Sequence, residues 1–168
     1  MTPALSLRSV HAEVPDGTSS RVLLDHVDLD LNAGEITVMT GRSGSGKSTL
    51  LAIAGLLRRP DAGEVLINNE PTAEMSERRR TRLRGEHIGI VYQNANLIPN
   101  LTALEQLELV AHLLGTRRSV TERARDLLDT LGVAGQARSL PGQLSGGERQ
   151  RVGIARALMA EPSILLAD

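Results

Sequence analysis

Lys47 is the only lysine in the sequence, and every other one of the 19 basic side chains is an arginine. It lies in Gly41-Arg42-Ser43-Gly44-Ser45-Gly46-Lys47-Ser48-Thr49, which fits the phosphate-binding pattern G-x-x-x-x-G-K-[ST]. A lysine ammonium is a compact charge that can enter a backbone nest and contact β- and γ-phosphate oxygens, whereas the planar arginine fork is broader. The pattern therefore indicates a nucleoside triphosphate as the ligand.

The neighbouring sequence predicts the elements that such a loop needs. Residues 36–40 form a short apolar segment that predicts a strand, and residues 48–57 predict a helix. Backbone N–H groups at the start of that helix would face the phosphates, Lys47 would reach the β- and γ-phosphates, and the Ser48 hydroxyl would bind Mg²⁺. The predicted nucleotide-binding residues of this loop are Gly41, Ser43, Gly44, Ser45, Gly46, Lys47, Ser48 and Thr49.

Further strands are predicted before and after this loop. Residues 5–10 and 22–31 read as strands, the second half-exposed because apolar residues alternate with Asp28 and Asp30. A strand at residues 64–67 is followed by the turn Asn68-Asn69, and residues 88–91 predict a buried strand. The arginine-rich run 78–84 between them is interpreted as a solvated helix face.

Residues 94–140 instead predict helices. Two capping boxes open amphipathic runs, and Gly115 and Gly132 follow those runs as C-terminal caps. The two boxes are Thr102-x-x-Glu105 and Ser119-x-x-Glu122. The segment is predicted to be a helical insertion in an α/β domain.

Three further groups of residues could do chemistry. Gln93 follows a strand, Asp168 ends an apolar strand, and Leu144-Ser145-Gly146-Gly147-Glu148-Arg149-Gln150-Arg151 opens a helix. If each residue is considered alone, Gln93 could be a surface residue, Asp168 could be a turn residue and Ser145 could be a helix cap. A capped helix N-terminus can also bind an anion, and a strand-end aspartate can hold Mg²⁺ through water.

Taken in order, these motifs resemble the ATP-binding domains of ABC transporters over the whole chain. Within this family, the chain resembles the subgroup that serves lipoprotein release, macrolide export and FtsX-type permeases. The segments that carry this resemblance are Leu83-Arg84, Ile88 to Gln93, Leu97-Ile98-Pro99 and Leu101 to Glu105. The resemblance implies an α/β phosphate-loop NTPase, with a RecA-like core, N-terminal antiparallel strands and the insertion 94–140, in one domain spanning residues 1–168.

The same resemblance assigns cofactors, roles and partners. ATP and Mg²⁺ are the implied cofactors. Lys47, Gln93 and Asp168 would be catalytic, Ser48, Gln93 and Asp168 would bind the metal, and Gln93 would also contact the attacking water. Ser145, Gly146, Gly147 and Glu148 would bind the γ-phosphate held by a second copy, so a homodimer is implied. The subunit would hydrolyse ATP in the cytoplasm to power an integral-membrane permease for efflux or lipoprotein release.

Two features depart from the family pattern. The family has an adenine-stacking aromatic where this chain has Val14, and His11 is the alternative ring for that role. The family also places a water-polarising glutamate, a dimer-contacting loop and a switch histidine after the position of Asp168, and His87 and His112 come too early to be that switch. We therefore expect the C-terminal part of the core to be missing, and the sequence to be part of a longer protein.

Composition and motif spacing argue against several other classes of function. A net charge of −1 argues against coating nucleic acid or binding a membrane surface directly, and the absence of cysteine excludes disulfides and thiol catalysis. No apolar run is long enough to insert in a bilayer. One alternative function remains open, a nucleotide-binding module that docks a partner without hydrolysing ATP. A DNA-repair or ribosomal relative is disfavoured because the segment between Gln93 and the family signature, Leu144 to Glu148, is short. The same signature argues against a small-molecule kinase.

Overall fold

The computed structural model describes residues 2–17, 19–115 and 120–168. The chain divides into two compact units, Met1–Arg84 and Gly85–Asp168.

The first unit is built around an antiparallel sheet with the strand order β2-β1-β3-β4. Its strands are β1 (Leu5–Asp16), β2 (Ser19–Leu31), β3 (Ala62–Ile67) and β4 (Glu70–Pro71). The predicted Asn68-Asn69 turn joins β3 to β4, and both asparagines have positive φ angles, 50° and 66°, as a tight hairpin requires. The predicted half-exposed character of β2 is confirmed, since Asp28 and Asp30 are exposed between half-buried apolar residues.

Helix α1 (Lys47–Ala54) follows the glycine-rich loop, as predicted. The predicted strand before the loop is wrong for this structure: residues 36–40 join neither sheet, and the side chains of Ile36 and Val38 are 94% and 77% exposed. A strand is stable when a neighbouring strand takes its N–H and C=O groups. An apolar sequence supplies propensity for a strand but does not supply that neighbour.

The basic run lies on helix α2 (Glu77–His87), which includes the boundary between the two units. The prediction of a solvated face is wrong for two of its arginines. Arg80 is buried, with its guanidinium 2.8 Å from Glu77 and 3.4 Å from the Arg58 carbonyl. Arg84 donates to the Leu56 carbonyl at 3.1 Å. These two arginines connect α2 to the segment after α1. The charge pattern of the sequence did not distinguish them from the other arginines of the run.

The second unit combines a parallel pair of strands with three helices. The strands are β5 (Ile88–Val91) and β6 (Ile164–Ala167), and the helices are α3 (Ala103–Leu113), α4 (Val120–Thr130) and α5 (Gly146–Leu158). Helices α3, α4 and α5 share one apolar core of small and aliphatic side chains. Its members are Ala103, Leu107, Ala111, Ala124, Leu128, Val133, Leu144, Val152, Ala155 and Met159.

The helix ends in this unit match the sequence signals. Thr102 and Glu105 form the predicted capping box, with the Thr102 N–H 2.8 Å from the Glu105 carboxylate. Gly115 and Gly132 have the left-handed φ angles of C-terminal caps, 74° and 68°. Ser119, predicted to cap α4, lies outside the described residues.

Candidate nucleotide-binding site

The glycine-rich loop turns sharply before α1 because two glycines adopt left-handed backbone angles. Gly44 has φ 75° and Gly46 has φ 89°, and the loop is closed by the Ser45 N–H, which donates to the Arg42 carbonyl at 3.2 Å. A Cβ atom on Gly46 would lie 2.4 Å from the Leu23 carbonyl oxygen of β2. The glycine at this position is therefore required both by conformation and by space.

Lys47 spans the loop that precedes it. Its ammonium Nζ donates to the Gly41 carbonyl at 2.8 Å and to the Arg42 carbonyl at 2.7 Å. An ammonium has three N–H donors, so these two bonds fix the side chain over the loop and leave one donor for a phosphate oxygen. No lysine elsewhere in the sequence could take this role.

The N-terminus of α1 presents backbone donors to the same loop. Gly46 is the N-cap and has no side chain to cap the helix, and the Leu50 N–H donates to the Gly46 carbonyl at 2.8 Å as the helix begins. The first backbone N–H groups of an α-helix point out of its N-terminal end, and the helix dipole adds positive potential there. This end of the helix is suited to an anion, and Ser48 is exposed in its first turn.

Arg21 is a residue of this site that sequence analysis missed. Its guanidinium Nη2 donates to the Gly44 carbonyl at 3.2 Å, and its backbone pairs with Val14 across the β1–β2 hairpin. The hairpin register therefore places Val14, predicted to be the adenine position, directly opposite an arginine that contacts the phosphate loop. No motif marks Arg21, so the strand register was the only available signal.

His11, the alternative ring for adenine stacking, is engaged elsewhere. Its Nε2 lies 3.0 Å from Glu13, and its ring lies 5.4 Å from that of His26 at an interplanar angle of 48°. Only 18% of the side chain is exposed. These contacts argue against His11 as a platform for a base.

Gln93 and Asp168 lie at one edge of the parallel pair in the second unit. The Asp168 N–H donates to the Val91 carbonyl at 3.0 Å, which places it beside the end of β5. Gln93 follows the end of β5 by two residues, and both side chains are exposed. Carboxyl ends of adjacent parallel strands are where open α/β sheets bind their ligands. The structure therefore brings these two predicted residues to a common edge.

The signature segment forms a capped helix start, as its sequence predicted. The Ser145 side chain accepts from the Glu148 N–H at 3.3 Å, and the Glu148 carboxylate accepts from the Ser145 N–H at 2.7 Å. The Ser145 hydrogen bonds hold the pKa of Glu148 below its ordinary value. Gly146 and Gly147 fill the first turn of α5, where side chains would otherwise screen the backbone N–H groups.

Helix α5 is fastened to the segment that follows β5. Gln150 donates to the Tyr92 carbonyl at 3.0 Å, and Arg156 donates to the carbonyls of Ala95 and Asn96 at 2.7 and 2.9 Å. Burial lowers the pKa of the Arg156 guanidinium. The carbonyls that accept these bonds lie on both sides of Gln93 in the sequence, so a displacement of this segment would also move α5.

The first unit contains a glycine-rich loop with two left-handed glycines, followed by a helix whose N-terminus has no side-chain cap. These features define a phosphate-loop nucleotide-binding protein. The sequence profile of the ABC transporter family matches residues 24–168. The lipoprotein-releasing system ATP-binding protein LolD of Granulibacter bethesdensis is 46% identical over 166 residues, which cover 98% of this chain and 72% of LolD. The macrolide export ATP-binding/permease protein MacB of Burkholderia lata is 44% identical over 99% of this chain and 24% of its own length.

Solved structures agree with the sequence relatives. The ATP-binding cassette MJ0796, in a dimeric post-hydrolysis state bound to ADP and Pi, superimposes with a TM-score of 0.90 at 40% identity, covering 98% of this chain and 73% of that one. The chain belongs to the ABC transporter family. The predicted fold class is confirmed by this likeness.

Proposed function

We propose that this chain is the ATP-binding and ATP-hydrolysing subunit of an ABC transporter and that it powers a membrane permease. The observation that carries the proposal is the fixed position of Lys47, whose ammonium is held across the loop at the uncapped start of α1. The names of the relatives LolD and MacB support lipoprotein release or efflux as the transported process.

Different groups of the loop would bind different parts of the triphosphate. Backbone N–H groups of residues 44–49 would bind phosphate oxygens, and Lys47 would add a positive charge at the β- and γ-phosphates. Ser48, Gln93 and Asp168 offer a hydroxyl, an amide oxygen and a carboxylate, which is the oxygen donor set that Mg²⁺ prefers. The metal would neutralise phosphate charge, while Gln93 would orient the attacking water.

A second copy of the chain would complete the site. The capped start of α5, with Ser145, Gly146, Gly147 and Glu148, is a second helix N-terminus suited to an anion. We propose that it binds the γ-phosphate held by the partner, so that two copies enclose the nucleotide. The dimeric state of the cassette MJ0796 supports this arrangement.

Motion of α5 would pass to a permease through residues 94–140, which we propose as the helical insertion of a single ATP-binding domain spanning residues 1–168. The hydrogen bonds from Gln150 and Arg156 to the segment after β5 support this route. Among the described residues, no helix combines the length and the hydropathy that crossing a bilayer requires. We propose attachment to the cytoplasmic side of the permease.

The single lysine permits a direct test on the unaltered chain. An amine-acylating reagent can modify only Lys47 and the α-amino group, and peptide mass spectrometry measures the two rates separately. We expect ATP with Mg²⁺ to slow acylation of Lys47 and to leave the α-amino group unaffected. Equal rates at Lys47 with and without ATP would contradict the proposed site.

A variant pair tests the same point by affinity. Lys47→Ala should abolish measurable ATP binding in calorimetry, because the cation over the phosphates is lost. Arg42→Ala removes an equal charge from the same loop but keeps the carbonyls that hold Lys47, so it should retain most of the affinity. Phosphate release measured with the same samples separates an ATPase from a module that binds without turnover.

The dimer is tested by comparing two helix caps. Ser145→Ala and Thr102→Ala each remove the hydroxyl of a capping box at a helix start. We expect Ser145→Ala to weaken ATP-dependent dimerisation in light scattering and Thr102→Ala to leave it unchanged. If both variants dimerise as the unaltered chain does, Ser145 has no role at the shared nucleotide.

A further inference from the structure

A β-bulge in the β1–β2 hairpin brings two histidines and a carboxylate together. The register pairs Val10 with Val27 and Ala12 with Leu24, so one residue of β1, His11, faces two residues of β2, Asp25 and His26. His26 has a φ angle of 47°, which is uncommon outside glycine. Regular alternation would send Asp25 and His26 to opposite faces of the sheet, and the bulge removes that alternation.

The donor atoms of these three residues have the spacing of metal ligands. Asp25 Oδ1 lies 2.8 Å from His26 Nδ1 and 3.5 Å from His11 Nδ1, and the three ligand atoms all lie within 4.8 Å of one another. In a tetrahedral zinc site with bonds of about 2.0–2.1 Å, neighbouring ligand atoms lie about 3.3 Å apart. The two Asp25 separations, 2.8 and 3.5 Å, lie on either side of that value.

The position of the His11 ring leaves one buried nitrogen without a hydrogen bond among the described residues. Its Nε2 lies 3.0 Å from the Glu13 carboxylate, and in the neutral tautomer that donates to Glu13 the Nδ1 atom has a lone pair. That Nδ1 is buried, and it makes no hydrogen bond with any described residue. In that tautomer the lone pair faces the Asp25 carboxylate 3.5 Å away, and a metal ion between the two atoms would bind both.

We infer that His11, Asp25 and His26 bind a divalent transition-metal ion of the zinc type, with Glu13 as the outer carboxylate that orients His11. Metal-binding histidines commonly donate their second ring N–H to such a carboxylate. Two imidazoles suit zinc and its neighbours in the transition series, whereas Mg²⁺ and Ca²⁺ prefer oxygen ligands.

The metal would act as a cross-link within the hairpin. His11 comes from β1, and Asp25 and His26 come from β2, so one ion would join the two strands. The side chains of Asp25 and His26 are 76% and 67% exposed, which gives the ion an entry path and room for a water as a fourth ligand. The inference does not depend on the proposed nucleotide site.

Calorimetric titration of the chain with Zn²⁺, without nucleotide and with Mg²⁺ in the buffer, tests the inference. We expect one Zn²⁺ per chain, and the same stoichiometry with Co²⁺, whose visible spectrum should show the intense bands of a four-coordinate ion. His26→Asn should lose more affinity than the roughly 10–100-fold that removal of an outer partner costs, and Glu13→Gln should fall within that range. Asparagine tolerates the positive φ angle of His26, so the hairpin should be retained.

His112→Asn is the matched control, because His112 is an exposed histidine on α3 outside the cluster. It should bind Zn²⁺ as the unaltered chain does. Asp25→Asn gives a second variant that removes a ligand from an exposed position, and circular dichroism confirms that each variant is folded. The inference is overturned if the unaltered chain binds no Zn²⁺, or if His26→Asn and Asp25→Asn bind it as tightly as His112→Asn.

Discussion

Replacing Gly46 with alanine tests the geometry of the phosphate loop most directly. The residue has φ 89°, and a left-handed conformation costs an alanine about 1–2 kcal/mol. The added Cβ would lie 2.4 Å from the Leu23 carbonyl oxygen and 3.1 Å from Leu24 Cδ2. A backbone oxygen cannot move away by changing rotamer, and overpacking of this kind costs about 1–3 kcal/mol more. We therefore expect Gly46→Ala to lower the free energy of unfolding by about 2–5 kcal/mol.

Gly44→Ala is the matched control for backbone strain. Gly44 has a similar φ of 75°, but the nearest atom to an added Cβ is Arg21 Nη2 at 3.6 Å, an ordinary contact with the end of a flexible side chain. Only the conformational cost of about 1–2 kcal/mol should remain. The two variants should then differ by about 1–3 kcal/mol, which is the steric contribution alone.

Urea unfolding of both variants measures this difference, provided that the dependence of free energy on urea concentration is unchanged. Calorimetry with ATP supplies the functional reading. Gly46→Ala should bind ATP more weakly than Gly44→Ala because it displaces the start of α1 from β2. Equal stability and equal ATP affinity in the two variants would refute the close approach of Gly46 to β2.

Three further predictions concern the surroundings of the loop and one helix cap. Arg21→Ala should weaken ATP binding by about 0.5–1.5 kcal/mol in calorimetry, because the Gly44 carbonyl loses its hydrogen bond. Val14→Tyr should strengthen ATP binding by about 1–3 kcal/mol if adenine lies beside this residue, and unchanged affinity would count against that position. Thr102, through its backbone N–H first and its hydroxyl second, holds the pKa of Glu105 below the ordinary 4.5, so the carboxylate stabilises the fold above that pH and loses this contribution as the pH falls through its lowered pKa. The stability advantage of the unaltered chain over Glu105→Gln should therefore disappear in acid unfolding titrations, and a constant difference would contradict the cap.

Most elements of the second unit could be predicted from sequence because their signals are local. The Thr102–Glu105 box, the cap glycines and the Ser145 helix start are specified by residues within one or two turns of each other. The apolar runs of β5 and β6 also predicted strands, although Leu165 of β6 is 50% exposed. Local hydrogen bonding and periodicity were sufficient for these predictions.

The errors arose where a long-range partner decides the outcome. Residues 36–40 have the composition of a strand but join neither sheet of the described residues, and Arg80 reads as solvated although it is buried with its guanidinium 3.4 Å from the Arg58 carbonyl. Arg21 is unremarkable in sequence, and its contact with Gly44 exists because the hairpin register brings it there. None of these outcomes follows from neighbouring residues alone.

The sequence by itself determined the phosphate loop, its lone lysine, the signature helix and hence the family, because those features depend on residue types at fixed short spacings. The tertiary structure decided which side chains from separate strands meet. One extra residue in β2 opposite His11 turns Asp25 and His26 towards it, and a strand sequence does not reveal where its partner contains a bulge. Pairing between strands sets such a cluster, since the free energy of pairing is spread over the whole hairpin rather than contained in any of its residues.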